Sequence, residues 1–553
     1  MRCAGPILLL CLAVLASGQT PGGLRLAPNL VNTIDRPLRY RPDGADFVIE
    51  NGAEYFNRPL YGGNTAFRVD GGDKPEFVLY LPGRGGNLRL GVRAATGASR
   101  WLHQAAKITT RYRPGTLRYE IRDPLLGAEG VLRLTAVAYH QIEGLGVRVE
   151  AEKIASGVEL IWAYGGVNGQ RGARDGDIGT ERVPISEWFQ LQPEFARDNR
   201  FESDAGTFVL RAKPATIVGV VPEGAVQRVA DAAQWSDPGA LLTTEHGMTP
   251  ATPVIVGRVA LVGARPYLIS LQRAAGTGAA ALTGAEVPRV FEEALRHFDA
   301  LRTRVTVDTP DPFLNAAVGA LNVAADAVWD EPQQAIMHGA IAWRAKLLGW
   351  RGPYAFDALG WHDRAQKHFL YWAGRQNVQP VPEQIPPADE NANLARSETA
   401  LHSNGDLSKS HYDMNLVYVD ALFRHLRWTG DLELAKKLWP VIERHLAWER
   451  RLFRREFGPE KLPLYEACAA IWASDDLQYH GGGVMHASAY NYFHNQQAGR
   501  LARLLGADPT LYQREAQLLE RGMREHLWLP ERGHFAEFKD LLSDLYRIRT
   551  LSE

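Results

Sequence analysis

Cysteine is nearly absent from this 553-residue chain: Cys3, Cys11 and Cys468 are the only three. The first two fall in a segment that reads as removable, so the mature protein would keep one thiol and no disulfide, which excludes a disulfide scaffold or a cysteine-based zinc site. An excess of either charge is also missing, with Lys+Arg 62 against Asp+Glu 63. No net positive field exists to hold a polyanion, so nucleic acid is not an expected partner. No HExxH or spaced Cys/His set points to a metal, no GxSxG to a serine hydrolase, and no strand-loop-helix glycine motif to a nucleotide. Neither a metal nor a cofactor is expected. Long apolar runs are missing too. The longest opens the chain, PILLLCLAVLA at 6–16, and is shorter than the roughly 20 residues of a membrane span. Followed by Ala16-Ser17-Gly18, it reads as a cleaved signal peptide over 1–18, which implies a secreted or periplasmic protein with no membrane span.

What is present divides into two regions. From 24 to 285 the chain alternates apolar and polar residues in short runs closed by Gly and Pro, as in Ile108–Arg113, Pro114-Gly115 and Leu117–Arg122. That pattern predicts a large antiparallel β-sandwich. At Glu286 the period changes to that of a helix. A linker helix is expected over 286–308, and a helical domain over 309–553. Asp311-Pro312 reads as an N-cap followed by proline at the first helical position, ahead of an apolar stripe of Leu314, Val318, Leu321, Ala325 and Val328. Further helices are expected near 361–374, 411–428, 431–450, 486–505 and 508–528, the last four joined in pairs through Gly430-Asp431 and Gly506-Ala507-Asp508.

The remaining connections, 330–360 and 453–485, are long and rich in Trp, Gly, His and Asp. Alternating tight turns and long loops would place the long loops on one face, and that face is the expected site. Ten of the 14 Trp and 12 of the 16 His fall in 310–553, which adds weight to it. Trp372, Trp428, Trp439 and Trp448 read as packing residues, whereas Trp343, Trp350, Trp361 and Trp472 lie in or beside the loops and suit ligand contact.

Three constellations could carry chemistry. Residues 462–493 bring together Glu466, Trp472, Asp475, Asp476 and His480. Adjacent carboxyls beside an indole suit a general acid, because desolvation and like-charge repulsion raise a carboxyl pKa. Residues 343–364 combine Arg344, Arg351, Asp357 and Asp363 with Trp343, Trp350 and Trp361, a mixture able to hydrogen-bond sugar hydroxyls while an indole stacks on the ring; salt bridges at a helix start would explain the charges as well. Residues 397–415 add Glu398, His402, Asp406, His411 and Asp413.

The motifs TPDPFLNAAVGALN at 309–322, LGWRGPYAFDALGWHDRA at 348–365, YDMNLVYVDALFRHLRWTGDLELAKKLWPVIERHLAW at 412–448 and the 462–493 stretch resemble, in this order, the six-hairpin (α/α)6 glycosidases with an N-terminal β-sandwich. FNRPLYGGNTAFRVDGGDKPEFVLYLPGRGGNLRLG at 56–91 resembles an exported bacterial family known only as domain of unknown function 4450. The resemblance implies a glycoside hydrolase acting on polysaccharide or oligosaccharide. Its general acid maps best onto Asp476, with Asp475 and Glu466 as alternatives. It also implies substrate-binding positions among Trp343, Trp350, Arg351, Asp357, Trp361, Glu398, His411, Asp413, Trp472 and His480. A phosphorylase is disfavoured by export, which separates an enzyme from cytoplasmic phosphate. The helices expected here number about half of a twelve-helix ring, so a C-terminally incomplete toroid is expected. Two other readings stand beside the hydrolase: a polysaccharide lyase using Tyr412, Tyr490 or Tyr492 with His411, His486 or Asn491, and a glycan-binding protein without turnover.

Overall fold

The computed structural model describes residues 39–172, 184–243, 250–263, 265–274, 281–341, 344–346, 348, 352–376, 378, 413–466, 482–539 and 546–547. The N-terminal region is built from two large antiparallel sheets. One has ten strands, in the spatial order Arg41–Asp43, Asp46–Glu50, Lys107–Arg113, Thr116–Arg122, Val131–Ala138, Gly144–Glu152, Tyr267–Arg273, Thr216–Val220, Thr207–Arg211 and Arg200–Asp204. The other has eight strands and includes Glu76–Tyr80, Arg84–Arg93, Glu159–Val167 and Pro253–Ala260. Alternation along these strands turns one set of side chains from each sheet into a shared core: Ile108, Leu117, Ile121, Leu134 and Val147 from the first meet Leu79, Leu88, Leu90, Leu160 and Trp162 from the second. Register is tightly specified where Trp162 stands opposite Gly257, because a Cβ on that glycine would lie 2.1 Å from the indole.

The expected hairpin at 108–122 pairs Arg113 with Thr116 across Pro114-Gly115. Proline followed by a glycine at φ +85° is the signature of a tight turn whose second corner is left-handed. The tip of this hairpin docks on the helix α1 (Val287–Arg302), where a Cβ on Gly115 would meet Phe298 at 2.3 Å and Arg302 Nη1 donates to Pro114 O at 3.2 Å. Val290, Phe291, Ala294 and Phe298 of α1 pack with Val137 and Tyr139 of the sheet, so the helix joins the two regions through one apolar core.

The C-terminal region is helical, with helices α2 (Pro312–Ala327), α3 (Gly352–Ala358), α4 (His362–Ala373), α5 (Asp413–Thr429), α6 (Leu432–Leu452), α7 (Met485–Leu505) and α8 (Thr510–His526). Asp311 caps α2 by accepting from Phe313 N at 2.8 Å, and Asp431 caps α6 by accepting from Leu434 N at 2.9 Å. Gly430 and Gly506 take left-handed φ values of +68° and +75° at the two tight joints. Among the described residues no helix is long and apolar enough to cross a membrane.

The orientation of α2 corrects one expectation. Leu314 and Leu321 of the anticipated stripe are 55% and 65% exposed, while Ala316, Gly319, Asn322, Val323, Asp326 and Ala327 face inward. The polar members decide this: Asn322 Nδ2 donates to Arg302 O and Val305 O at 3.0 and 2.8 Å, and Asp326 accepts from Asn64 Nδ2 of the sheet region and Arg364 Nη1 of α4. Turning the leucines inward would break these four hydrogen bonds and leave their buried partners unpaired.

Candidate functional site

A cavity of about 650 Å³ opens among α3, α5 and α7, lined by Tyr354, Asp357, Asp420, Arg424, Arg427, Trp428 and Tyr490. Helix geometry assembles each wall. Tyr354 and Asp357 are one turn apart on α3, and Asp420, Arg424 and Arg427-Trp428 follow at successive turns along one face of α5, whose other faces carry Leu416, Val417, Val419, Leu422 and Phe423 into the core. Tyr490 comes from the second turn of α7.

Both carboxylates of the cavity are buried and both are held. Asp420 Oδ2 accepts from Tyr354 Oη at 2.5 Å and from Arg424 Nε at 2.8 Å. Burial, followed by the charge of Asp420, raises the pKa of the Tyr354 phenol, so the hydroxyl keeps its proton and donates. The hydrogen bond to Asp420 raises the guanidinium pKa of Arg424. Asp357 Oδ1 lies 3.0 Å from His362 Nδ1 at the start of α4 and 2.8 Å from His425 Nδ1 on α5. Trp428 is 64% exposed and stands at the cavity edge. The wall therefore offers two oriented carboxylates, guanidinium donors and aromatic faces, the set needed to hydrogen-bond vicinal hydroxyls while a ring stacks on an apolar surface.

Of the residues singled out from sequence, Asp357 and Tyr490 are on this wall. Trp361 is not: it packs against Phe356, with the Arg304 and Arg364 guanidiniums over its ring at 4.9 and 5.0 Å. Glu466 is buried directly after the strand Leu462–Tyr465 in an ion pair with Arg455, apart from the cavity-lining set. Arg344 is likewise taken up structurally, paired with Asp330 and donating to Ala327 O at 2.8 Å and Trp329 O at 3.1 Å. Trp343, Trp350, Arg351, Glu398, His411, Trp472, Asp475, Asp476 and His480 lie outside the described residues, as does the side chain of Asp413, the first residue of α5.

Trp372 and Trp448 are packing residues as expected, but Trp428 is a correction: it stands in the last turn of α5, 64% exposed among the described residues. Asp420, Arg424 and Arg427 escaped notice although a signal existed, since a line of charged residues at helical spacing on an otherwise apolar helix marks a face turned to water or ligand.

Residues 81–295 match DUF4450, a domain of unknown function. No curated protein matches the chain. Among solved structures, it resembles a bacterial glucoamylase complexed with acarbose at 9% identity, covering 89% of this chain and 71% of that one with a TM-score of 0.47. A kojibiose phosphorylase candidate from the human microbiome gives 8% identity, coverage of 90% and 72%, and a TM-score of 0.45. An inverting mannosidase of glycoside hydrolase family 92 from Bacteroides thetaiotaomicron gives 10% identity, coverage of 92% and 64%, and a TM-score of 0.34.

Proposed function

We propose that this protein is an exported glycoside hydrolase acting on a polysaccharide or oligosaccharide, with its helical region a partial (α/α)6 toroid and its substrate bound in the cavity among α3, α5 and α7. The observation that carries this reading is the lining of that cavity: two buried, oriented carboxylates with guanidiniums, tyrosines and an exposed indole, in a volume within the range of small-ligand sites. Trp428 and the tyrosines would stack on the apolar faces of sugar rings. Arg424, held by Asp420, and Arg427 would bind hydroxyls.

Hydrolysis needs a proton delivered to the leaving oxygen and a second carboxylate to activate water or attack the anomeric carbon. The general acid is assigned to Asp476, with Asp475 as the alternative; Glu466, buried in its ion pair with Arg455 apart from the cavity, is set aside. In sequence Asp476 lies nine positions before Met485, the first residue of α7, the helix that carries Tyr490 of the cavity wall. Asp357, held by two imidazoles, is suited to bind a hydroxyl close to the scissile bond.

With a cleavable glycan, Asp476→Asn should lower turnover by about 10²–10⁴-fold with little change in affinity. A substrate with an activated leaving group should recover much of that rate, since it needs little protonation. Wild-type activity of Asp476→Asn on an unactivated glycan would sink the assignment. An unsaturated product absorbing in the near ultraviolet would instead indicate β-elimination, with Tyr490 placed in the cavity to act as the base.

A further inference from the structure

We propose that Asp357, His362 and His425 form a binding site for a divalent transition-metal ion of the zinc type at the wall of the cavity. The carboxylate oxygen and the two imidazole nitrogens all lie within 4.8 Å of one another. The two nitrogens converge on the same oxygen, Asp357 Oδ1, at 3.0 and 2.8 Å. Zinc sits about 2.0–2.2 Å from nitrogen and oxygen ligands, so ligand atoms bound to a common ion are separated by distances of this size or a few tenths of an ångström more. Two imidazoles with one carboxylate suit zinc and its first-row neighbours rather than magnesium or calcium, which prefer oxygen ligands alone.

Charge and position point the same way. Asp357 is buried, and among the described residues it has no Lys or Arg partner; the imidazoles are what face its Oδ1. Arg424, the guanidinium that could compete, is engaged by Asp420. A carboxylate in a desolvated place without a Lys or Arg partner gains more from a cation than a solvated one would. The ligands are also held in advance. His425 sits in the core against Phe369 at 5.1 Å, and Asp357 and His362 flank the Gly360 turn between α3 and α4, where glycine takes φ +73°. Because Asp357 lines the cavity, an ion held here would stand at its wall with three protein ligands among the described residues, the number that leaves a coordination position for a solute.

Metal binding uses the Nδ1 lone pair of each ring, which leaves the ring proton on Nε2. The three ligands come from positions 357, 362 and 425 on three helices, a spacing that motif searches do not register. The inference is independent of the glycan reading, because metal uptake is read without any substrate.

The test is zinc titration of the tag-free full chain after chelator treatment, followed by elemental analysis and thermal melting. One equivalent of zinc per chain and a zinc-dependent rise in Tm are expected. His362→Gln should weaken binding at least about tenfold, since even supporting residues around metal sites cost about 10–100-fold, and as a partly exposed residue at a helix start it tests the site without disturbing the core. His425→Gln and Asp357→Asn should do the same, and His140→Gln, which is not a member of the cluster, should not. No stoichiometric uptake by the wild-type chain, or uptake unchanged in His362→Gln and Asp357→Asn, would overturn the site and leave the cluster as a carboxylate held by two imidazole hydrogen bonds.

Discussion

The sheet region and the helical region differ in which buried polar groups stand out. In the sheets, buried charges meet partners that strand register puts beside them: Glu76 is directly opposite Arg89 across two strands, with an ion pair of 2.9 Å, and Arg68 reaches Asp70 two residues along the same face at 3.1 Å. Buried phenols are also satisfied, Tyr119 donating to Gly72 O at 2.9 Å. In the helical region, His445 of α6 and His494 of α7 are fully buried with ring centroids 5.8 Å apart, and among the described residues neither ring nitrogen of either has a hydrogen-bond partner. A ladder repeats every two residues and brings complementary groups together by construction, whereas helix faces meet wherever packing allows. The polar core of the sheets is therefore vulnerable to losing one member of a pair, and that of the helices to gaining a proton.

Breaking a pair should give the largest effect. Asp70→Leu leaves the Arg68 guanidinium buried without its carboxylate and should cost about 3–5 kcal/mol in chemical denaturation. Burial already raises the pKa of Asp70 despite Arg68, so the charged pair is only partly compensated, and the double variant Arg68→Met/Asp70→Leu should recover most of the loss. A double variant as unstable as the single one would break the comparison on the sheet side.

Acid should act next, and mainly on the helices. Burial pushes the pKa of His494 down to about 3 and that of His368 to about 4, and that of His445 falls well below the ordinary value. The sheets contribute His103, also held at about 3. These groups stay neutral when folded but bind protons when unfolded below about pH 6.5, so the unfolded state gains protons as pH falls and stability is lost in that direction. Between pH 7 and 5 each fully buried imidazole should cost on the order of 2 kcal/mol. Hydrogen exchange at pH 5 should rise in 432–452 and 485–505 before it rises in 131–152, and His494→Phe should flatten the helical response. Equal acid sensitivity in both regions would show that the orphan imidazoles do not set it.

The smallest effect sharpens the comparison at its local end. Asp431→Ala removes a side-chain cap from α6 and should cost about 1 kcal/mol, read as a small drop in Tm with no change in pH dependence.

Helix ends, caps and turns were legible because they are settled within a few residues: Asp311, Pro114-Gly115, Gly430 and Gly506 stand where local rules put them. The candidate site was legible only in part. Asp357 drew attention as a carboxylate among tryptophans, but nothing local linked it to His425, 68 positions away by the hydrogen bond that joins them. Trp361 looked like a ligand contact because of its loop and became core because Phe356 and two guanidiniums closed over it.

By itself, the sequence determined that an alternating half precedes a helical half and where most helices begin and end, because backbone hydrogen bonding and period act over one or two turns. Only the tertiary structure decided which face of each helix is buried. The inward turn of Asn322 and Asp326 on α2, the exposure of Trp428 and the convergence of Asp357, His362 and His425 all depend on which neighbour arrives, and side-chain burial is a property of the pair of surfaces in contact rather than of either segment alone.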